Sequence, residues 1–384
     1  MELFESAWHM VSATIVFSLG LLLVYPLCKY FLIGNKIGFF IYIYHTLFCI
    51  VYLSFVLNSG GDALGYYHSS QNSLPDFRPG TPAILYLVTV VNIIDLSIVG
   101  VFLCFNIFGF IGLIAFYSAL VTVTKHASQK LRYLTLATVL LPSVSFWSSG
   151  LGKDSISFMA MGLALYAALN LNKRIVLMML AVAFMLFVRP HMAGMMVLAI
   201  IASIAFKKDI PLMSRLTIGI IGLVAGVVMI PFAFKYAGLE VDASNLESYI
   251  ETRQGYNQQG GGGVDISSMS LPMQMFTYMV RPLPFEAKSI PQLLAALDNM
   301  LILYLLFIGM KARLSVKNLQ LTGNRVFMWW YVGISWVLLS MTTANLGIAV
   351  RQKWMFAPIL IFLFISIIAA VQEKKKQSNS YGNN

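Results

Sequence analysis

The sequence predicts an all-α fold, a polytopic bundle of about 11 transmembrane helices. The first observation is composition: 59% of the 384 residues are hydrophobic, 11% are charged, and the mean hydropathy is +0.79. Soluble proteins carry about 25% charged residues. The second observation is a series of apolar runs, several of which approach or exceed the roughly 18 residues that cross a bilayer as a helix. The third is an unequal distribution of basic residues between alternate loops.

The first third of the chain contains three long apolar runs and one short one. The short run, 83–93, is apolar but too short to span a bilayer. We interpret it as an interfacial or re-entrant helix that begins at Thr81-Pro82, because proline is favoured at the first helical position. We expect Asp95 to cap the third long span. The long spans are predicted at Val11–Leu32, Ile37–Leu57 and Ser97–Thr124.

The rest of the chain adds four rather short apolar runs and four later spans. Polar or basic segments separate them, so we count each run as one span. The short runs are Leu134–Trp147, Ser155–Asn170, Ile175–Val188 and Met192–Phe206. The later spans are Leu216–Phe234, Leu293–Met310, Val326–Met341 and Trp354–Val371.

Basic residues are concentrated in one alternate set of loops. That set holds 17 of the 26 Lys and Arg residues, with only Asp209 and Glu373 as acids, whereas the other set holds nine basic and 13 acidic residues. Basic loops tend to stay in the cytoplasm. We therefore predict an external N-terminus and a cytoplasmic C-terminus. The net charge of +11 is then mostly a topology signal and does not require a nucleic-acid partner.

The predicted organisation is a single transmembrane domain, residues 1–372, with external loops at 58–95 and 235–291 and a basic, polar cytoplasmic tail at 373–384. The three cysteines all lie in apolar runs, which is typical of small membrane hydrophobes rather than of a disulfide framework or a metal site. The sequence contains no phosphate-binding Walker loop, zinc-protease motif or nucleophile elbow. We expect neither a metal nor a cofactor.

Five basic residues stand out on the predicted outer face, where such residues should be scarce. Several adjoin proline or glycine next to an apolar run, and charges near membrane depth tend to face a bundle interior or a wet cavity. Arginine presents a planar fork that suits phosphate oxygens. We interpret the set as a phosphate-binding site, although any one member could instead reach lipid headgroups or pair with Glu286 or Asp298. The set is Arg78, Lys153, Arg189, Arg281 and Arg351.

Two of the short runs favour a cavity on this face. Runs 134–147 and 175–188 would be about 21 Å long as helices, against a hydrocarbon core of about 30 Å. Their outer ends should therefore stop below the external surface. This places segment 148–154 and Arg189-Pro190-His191 at the floor of an external cavity, where irregular backbone is tolerated.

The first sizeable polar segment, 58–68, contains a carboxylate within a glycine-rich loop. We interpret Asp62 as a base that deprotonates an acceptor hydroxyl. Tyr66, Tyr67 and His68 would shape the sugar or donor pocket. A turn-forming aspartate is the alternative.

Two further residues are candidate catalytic groups. Asp154 is a rival base, but it lies beside Lys153 at a predicted helix start, where a partner for the helix dipole or an ion pair is the alternative. His191 could donate to phosphate, or it could be a structural partner of the turn at Arg189.

An external carboxylate in an early loop, external arginines and no nucleotide motif form a combination that resembles the GT-C superfamily of membrane glycosyltransferases. It also resembles the related O-antigen polymerase (Wzy-type) proteins of bacterial envelopes. Segments 146–155 and 188–191 look like parts of uncharacterised proteins from bacterial polysaccharide clusters. In the superfamily an acidic residue of an early external loop is the usual base, a role that Asp62 matches. That loop normally follows the first span and here follows the second, so the polymerase group is at least as good a match.

The resemblance implies a GT-C-like bundle in the bacterial inner membrane with its active site on the periplasmic face. The implied reaction is inverting transfer from a saccharide carried on a polyprenyl (undecaprenyl) phosphate or pyrophosphate. Polymerisation of O-antigen, capsule or exopolysaccharide repeat units is the leading form. A single-sugar transferase, a transporter or flippase for lipid-linked oligosaccharide, and a structural subunit of an export machine stay open. The expected partners are the lipid-linked saccharide, the bilayer and other polysaccharide-assembly proteins, without nucleic acid.

Overall fold

The computed structural model of the chain describes residues 3–71, 76–206, isolated positions between 211 and 220, and 262–381. Within these residues the secondary structure is helical, apart from an isolated β-bridge between Gly263 and Asn345. The predicted all-α class is therefore confirmed. The chain divides into two compact units, residues 1–189 and residues 190–384.

The first unit mixes long apolar helices with shorter ones. Three of its helices begin after a serine whose hydroxyl accepts a backbone N–H of the first turn, as N-cap residues do. These serines are Ser6, Ser97 and Ser128. The helices are α1 (Ala7–Tyr30), α2 (Asn35–Ser59), α3 (Asp62–Ser69), α4 (Thr81–Val91), α5 (Ile98–Thr124), α6 (Gln129–Val139), α7 (Pro142–Ser148), α8 (Lys153–Ala168) and α9 (Ile175–Val188).

Helix α5 is the centre of the first unit, where it packs against α1, α2, α6 and α8. It approaches α8 closely at Gly112 and Gly162. A Cβ atom on Gly162 would lie 2.5 Å from the carbonyl oxygen of Gly112. Small residues allow transmembrane helices to pack with their backbones close together. The α5–α8 contact therefore depends on the absence of a side chain at these two positions.

The run 134–147, predicted as one span, forms two helices instead. Helix α6 ends at Val139 and α7 begins at Pro142. Proline lacks the N–H that would continue the helix, and it disfavours helical backbone at the preceding residue. Leu141 accordingly has φ −59° and ψ 127°. The Tyr44 hydroxyl donates to the Leu140 carbonyl at 2.6 Å, which satisfies one of the acceptors that the break leaves open.

The start of α5 differs from the prediction in its capping residue. The expectation that Asp95 caps this helix is wrong, because the cap is Ser97, whose Oγ accepts from the Gly100 N–H at 3.1 Å. Asp95 has a left-handed backbone, φ 54°, which aspartate tolerates better than most residues. Its carboxylate lies 3.7 Å from His9 Nε2.

The short run 83–93 is helical, as predicted. Helix α4 begins at Thr81 with Pro82 in its first turn, and a 3-10 turn, Asn92–Ile94, continues it. Its position relative to a bilayer stays a prediction.

The second unit joins long and short helices through polar turns. A 3-10 turn follows the second of its helices, and another precedes the last. Those turns are Pro284–Glu286 and Lys353–Met355. The helices are α10 (Pro190–Ala205), α11 (Leu271–Val280), α12 (Ile290–Ser315), α13 (Arg325–Thr342), α14 (Leu346–Gln352) and α15 (Ala357–Tyr381).

Helices α12 and α15 pack closely in the second unit. A Cβ atom on Gly309 would lie 2.3 Å from the Phe364 ring. Helix α13 packs against α10, α11 and α15, and the Tyr331 hydroxyl donates to the Met355 carbonyl at 3.0 Å. Helix α15 continues to Tyr381 and so extends into the predicted basic tail.

Among the residues that the structure describes, five helices are long and apolar enough to cross a membrane. They are α1, α2, α5, α12 and residues Ala357–Ser378 of α15. Apolar helices such as Ile175–Val188 and Pro190–Ala205 are shorter, and the predicted span Leu216–Phe234 lies largely outside the described residues. The chain therefore has the helices of a membrane protein, while the number of about 11 spans and their orientation stay predictions.

Candidate functional site

Two charged side chains are buried together in the first unit. Nη2 of Arg189 lies 2.6 Å from Oδ1 of Asp154, and each side chain is 10% exposed. Removing two charges from water is costly, so a buried pair needs close geometry and further hydrogen bonds. The Nε atom of Arg189 is buried and has no hydrogen-bond partner among the described residues. The arginine therefore has donor capacity beyond what its carboxylate partner uses.

Local backbone features bring this pair together. Asp154 is the second residue of α8, and it follows Gly152, whose φ of 152° favours glycine. Arg189 directly follows the last residue of α9, and its N–H still donates to the Met185 carbonyl at 2.7 Å. An acidic residue in a first helical turn is stabilised by the helix dipole. The structure thus shows the ion pair that was the alternative to a catalytic Asp154, with Arg189 as its partner.

Lys153 binds to the start of another helix. Its Nζ donates to the Thr81 hydroxyl at 2.6 Å. The N–H of Gly80, at the start of the same helix, donates to the Phe187 carbonyl at 2.8 Å, and Phe187 lies two residues before Arg189. The start of α4, the start of α8 and the end of α9 therefore meet at one place.

Arg78 lies two residues before Gly80 and is exposed, with its guanidinium 3.9 Å from Asp76. Three predicted phosphate-binding residues, Arg78, Lys153 and Arg189, thus lie around the same helix ends. We call this group the α8 basic site. It combines the buried guanidinium of Arg189 with the partly buried ammonium of Lys153 and the exposed guanidinium of Arg78.

The predicted base is exposed. Asp62 is the first residue of α3 and follows Gly60 and Gly61, whose φ angles are 74° and 140°. Helix α3 packs against α4, and α4 packs against α9, whose last residue precedes Arg189. A chain of packed helices therefore connects Asp62 to the α8 basic site.

The aromatic residues after Asp62 differ in exposure. Tyr66 and Tyr67 are buried, and the Tyr67 hydroxyl donates to the Leu96 carbonyl at 3.1 Å. His68 is exposed. Tyr67 therefore holds α3 to the segment before α5, and a role for these residues in a donor pocket stays a prediction.

Arg281 and Glu286 form a bidentate ion pair in the second unit. Nη2 and Nε of Arg281 lie 2.6 and 2.9 Å from Oε1 of Glu286. These hydrogen bonds, together with one from the Leu283 N–H, hold the pKa of Glu286 below its ordinary value, against the opposing effect of partial burial. Arg281 follows the last residue of α11, as Arg189 follows the last residue of α9.

Two other predicted residues belong to the second unit. Arg351 lies in the last turn of α14, a helix that Asn345 caps by accepting from two backbone N–H groups. His191 is the second residue of α10 and is partly buried. The roles proposed for Arg351 and His191 stay predictions.

The sequence prediction missed a buried polar cluster in the second unit. Lys353 and Asn299 are fully buried, and Asp298 is 2% exposed. The Lys353 Nζ donates to Asn299 Oδ1, and Asn299 Nδ2 donates to the Pro282 carbonyl at 3.0 Å. One signal was available in the sequence: Asp298 lies inside a predicted span, where an ionisable residue indicates a functional or paired position.

The described residues contain no group of three or more His, Cys, Asp or Glu side chains that could hold a metal ion. Comparison of the chain with protein-family models, with curated proteins and with solved structures finds no match.

Proposed function

We propose that this membrane protein transfers a glycosyl group from a polyprenyl-phosphate- or pyrophosphate-linked saccharide to an acceptor hydroxyl. Its leading form is the polymerisation of cell-surface polysaccharide repeat units at the periplasmic face of a bacterial inner membrane. The observation that supports this best is the α8 basic site. There the buried guanidinium of Arg189, whose Nε atom has no hydrogen-bond partner among the described residues, lies at the same helix ends as Lys153. A diphosphate leaving group is the kind of anion that such a site suits.

In the proposed reaction, Asp62 and the residues of the α8 basic site have different roles. The acceptor oxygen attacks the anomeric carbon, and the bond from that carbon to the phosphate oxygen breaks. The acceptor proton passes to the Asp62 carboxylate, and the phosphate leaves with the bonding electron pair. Arg189 and Lys153 stabilise the negative charge that develops on the leaving group. Displacement of this kind inverts the anomeric centre and uses one base.

Asp62 is a better base than Asp154. Asp154 already accepts a hydrogen bond from Arg189 in a site that is largely closed to solvent, so its charge is engaged. Asp62 is exposed at the start of a short helix, where an acceptor can approach it. His191, the remaining catalytic candidate, then donates to phosphate rather than removing the proton, and His68 shapes the sugar or donor pocket.

A transporter of lipid-linked oligosaccharide is the second candidate, favoured by one observation. The interruption between α6 and α7 at Pro142 is the type of broken helix that transporters use to build substrate sites. In that case the α8 basic site would bind the same phosphate without chemistry.

The test is chain extension by the purified protein in lipid nanodiscs. Undecaprenyl-pyrophosphate oligosaccharide is supplied, and products are resolved by mass spectrometry. We expect extended glycans from the wild type and none from Asp62→Asn, with retained binding of the pyrophosphate lipid. Arg189→Lys, which keeps the charge but loses the fork, should bind that lipid more weakly.

Three results would contradict parts of this proposal. Full activity of Asp62→Asn would exclude Asp62 as the base. Addition of a single sugar would replace the polymerase by a single-sugar transferase. Movement of the lipid-linked oligosaccharide across proteoliposomes, without any new glycosidic bond, would replace the enzyme by a transporter.

The proposed orientation has its own test. A cysteine at Ser69, which is exposed, should react with a membrane-impermeant maleimide from the periplasmic side. A cysteine at Lys317, in the predicted cytoplasmic loop, is the matched control and should react only after permeabilisation. The reverse pattern would overturn the orientation and the periplasmic site with it.

A further inference from the structure

Lys353 is the unusual residue of the second unit, because its side chain is fully buried. It lies in the 3-10 turn before α15, beside Asn299 of α12. Asn299 is nine residues inside α12, about 14 Å from the start of that helix. A lysine at this depth needs acceptors, since an ammonium group can only donate.

The hydrogen bonds of Lys353 fix the orientation of the Asn299 amide. The Lys353 Nζ can bond only to the amide oxygen, so the amide nitrogen must point the other way. That nitrogen donates to the Pro282 carbonyl at 3.0 Å. The Lys353 ammonium therefore sets the orientation of the Asn299 amide, and this orientation directs the amide N–H at the Pro282 carbonyl.

Pro282 is the neighbour of Arg281, so this network reaches a predicted substrate-binding residue. The turn from 281 to 286 also carries its own bonds, since the Arg281 guanidinium and the Leu283 N–H both donate to Glu286. These bonds hold the turn together internally. The bond from Asn299 ties it to α12, a helix long and apolar enough to cross a membrane.

We infer that Lys353 is a positioning residue: through the Asn299 amide it holds the turn that carries Arg281 in place for binding the substrate phosphate. The inference rests on the proposed function for the ligand of Arg281. The structural part of the inference, that Lys353 holds the turn in place through Asn299, is independent of the proposed function.

Asp298 supplies the competing explanation. Its carboxylate acts electrostatically on the Lys353 ammonium, so Lys353 could serve to neutralise a buried charge and nothing more. The two roles differ in what a double replacement does. Lys353→Met with Asp298→Asn removes both charges, which restores charge balance and leaves Asn299 without the donor that orients it.

Asn299→Asp is the sharpest single variant. A carboxylate keeps the acceptor for Lys353 and nearly the same shape, but it cannot donate to the Pro282 carbonyl. Asn106→Leu is the matched control, because Asn106 is also fully buried and its amide donates to the Thr46 hydroxyl in the first unit.

Hydrogen–deuterium exchange of the full chain in nanodiscs tests the hold on the turn without any assay of function. The Arg281, Leu283 and Glu286 amides are hydrogen-bonded, so release of the turn should raise their exchange. We expect faster exchange over 281–289 in Asn299→Asp and in the Lys353→Met/Asp298→Asn variant, with wild-type exchange there in Asn106→Leu. Wild-type exchange over 281–289 in Asn299→Asp would overturn the inference, and wild-type exchange in the double variant would assign Lys353 to charge balance.

Binding of undecaprenyl pyrophosphate tests the link to substrate. We expect Asn299→Asp to bind this lipid at least about tenfold more weakly than the wild type, since a misplacement of about 1 Å is enough for such losses. The loss should not add to that of Arg281→Ala, because both changes act on the same contact. Full additivity would overturn the route through Arg281. If the wild type binds no pyrophosphate lipid while exchange rises as expected, the proposed function fails and the hold on the turn stands.

Discussion

Replacing Arg189 by methionine should lower the free energy of unfolding of the chain by about 3–5 kcal/mol. The magnitude follows from burial: both side chains of the pair are 10% exposed, and the Asp154 carboxylate would lose a partner 2.6 Å away while remaining out of water. Neutralising the carboxylate as well should recover at least about 2 kcal/mol, because removing both charges of a buried pair is far less costly than removing one. The double variant is Asp154→Asn/Arg189→Met.

The glycosyl-transfer activity of these two variants should not change in parallel with their free energy of unfolding. If Arg189 stabilises the leaving phosphate, the double variant folds better than Arg189→Met and is equally inactive. Unfolding would be measured in mixed detergent micelles by tryptophan fluorescence, and activity by the chain-extension assay. Arg78→Met is the matched control: Arg78 is 74% exposed and 3.9 Å from Asp76, so its loss should change stability by less than about 1 kcal/mol.

Two results would refute this reasoning. A loss below about 1 kcal/mol in Arg189→Met would mean that the pair is not buried as the structure has it. Wild-type activity in the double variant would mean that Arg189 acts in folding alone, and the α8 basic site would lose its central residue.

Gly162→Ala should destabilise the first unit by about 1–3 kcal/mol, because its new methyl group would overlap the Gly112 carbonyl. Gly333→Ala, with no described atom within 4 Å of the added carbon, should be neutral in the same thermal unfolding assay. The pKa of Glu286 lies below its ordinary value of 4.5, chiefly because Arg281 donates to the carboxylate. The ion pair therefore stabilises the fold above about pH 4.5, and this contribution is lost as the pH falls through the lowered pKa. Glu286→Gln should reduce stability at pH 7 and flatten the acid side of the stability profile; an unchanged profile between pH 7 and 3 would contradict the assignment.

Hydropathy was enough to predict the class of the fold and many of its helices. The long run predicted at Ser97–Thr124 is helix α5, displaced by one residue at its start. The prediction of a single span at 134–147 failed because hydropathy counts apolar side chains and takes no account of backbone donors. Pro142 lies near the middle of that run, and its missing N–H divides it into two helices. The proline was visible in the sequence, but an apolar run on both sides of it is equally compatible with a kinked span.

The candidate site was only partly predictable for a different reason. Arg189 and Lys153 were recognisable as basic residues beside proline and glycine on a predicted outer face. Their partners were not, because Asp154 is 35 positions from Arg189 and Thr81 is 72 positions from Lys153. The Lys353–Asn299 bond joins residues 54 positions apart. Contacts at such separations depend on how helices pack, which a single sequence does not specify.

Arg189 and Arg281 occupy the same local position, and this connects sequence to site more closely than any long-range contact. Each arginine follows a helix ending in valine and precedes a proline, in Val188-Arg189-Pro190 and Val280-Arg281-Pro282. The proline forces the arginine out of helical backbone: ψ is 76° at Arg189 and 150° at Arg281. A cation at this position is favoured by the helix dipole, and the change of direction aims it away from the helix axis towards a carboxylate. The sequence Val-Arg-Pro is therefore a compact way to place a guanidinium at the end of a helix. Its presence in both units adds to the support that the α8 basic site gives to the proposed anion-binding role of the two arginines.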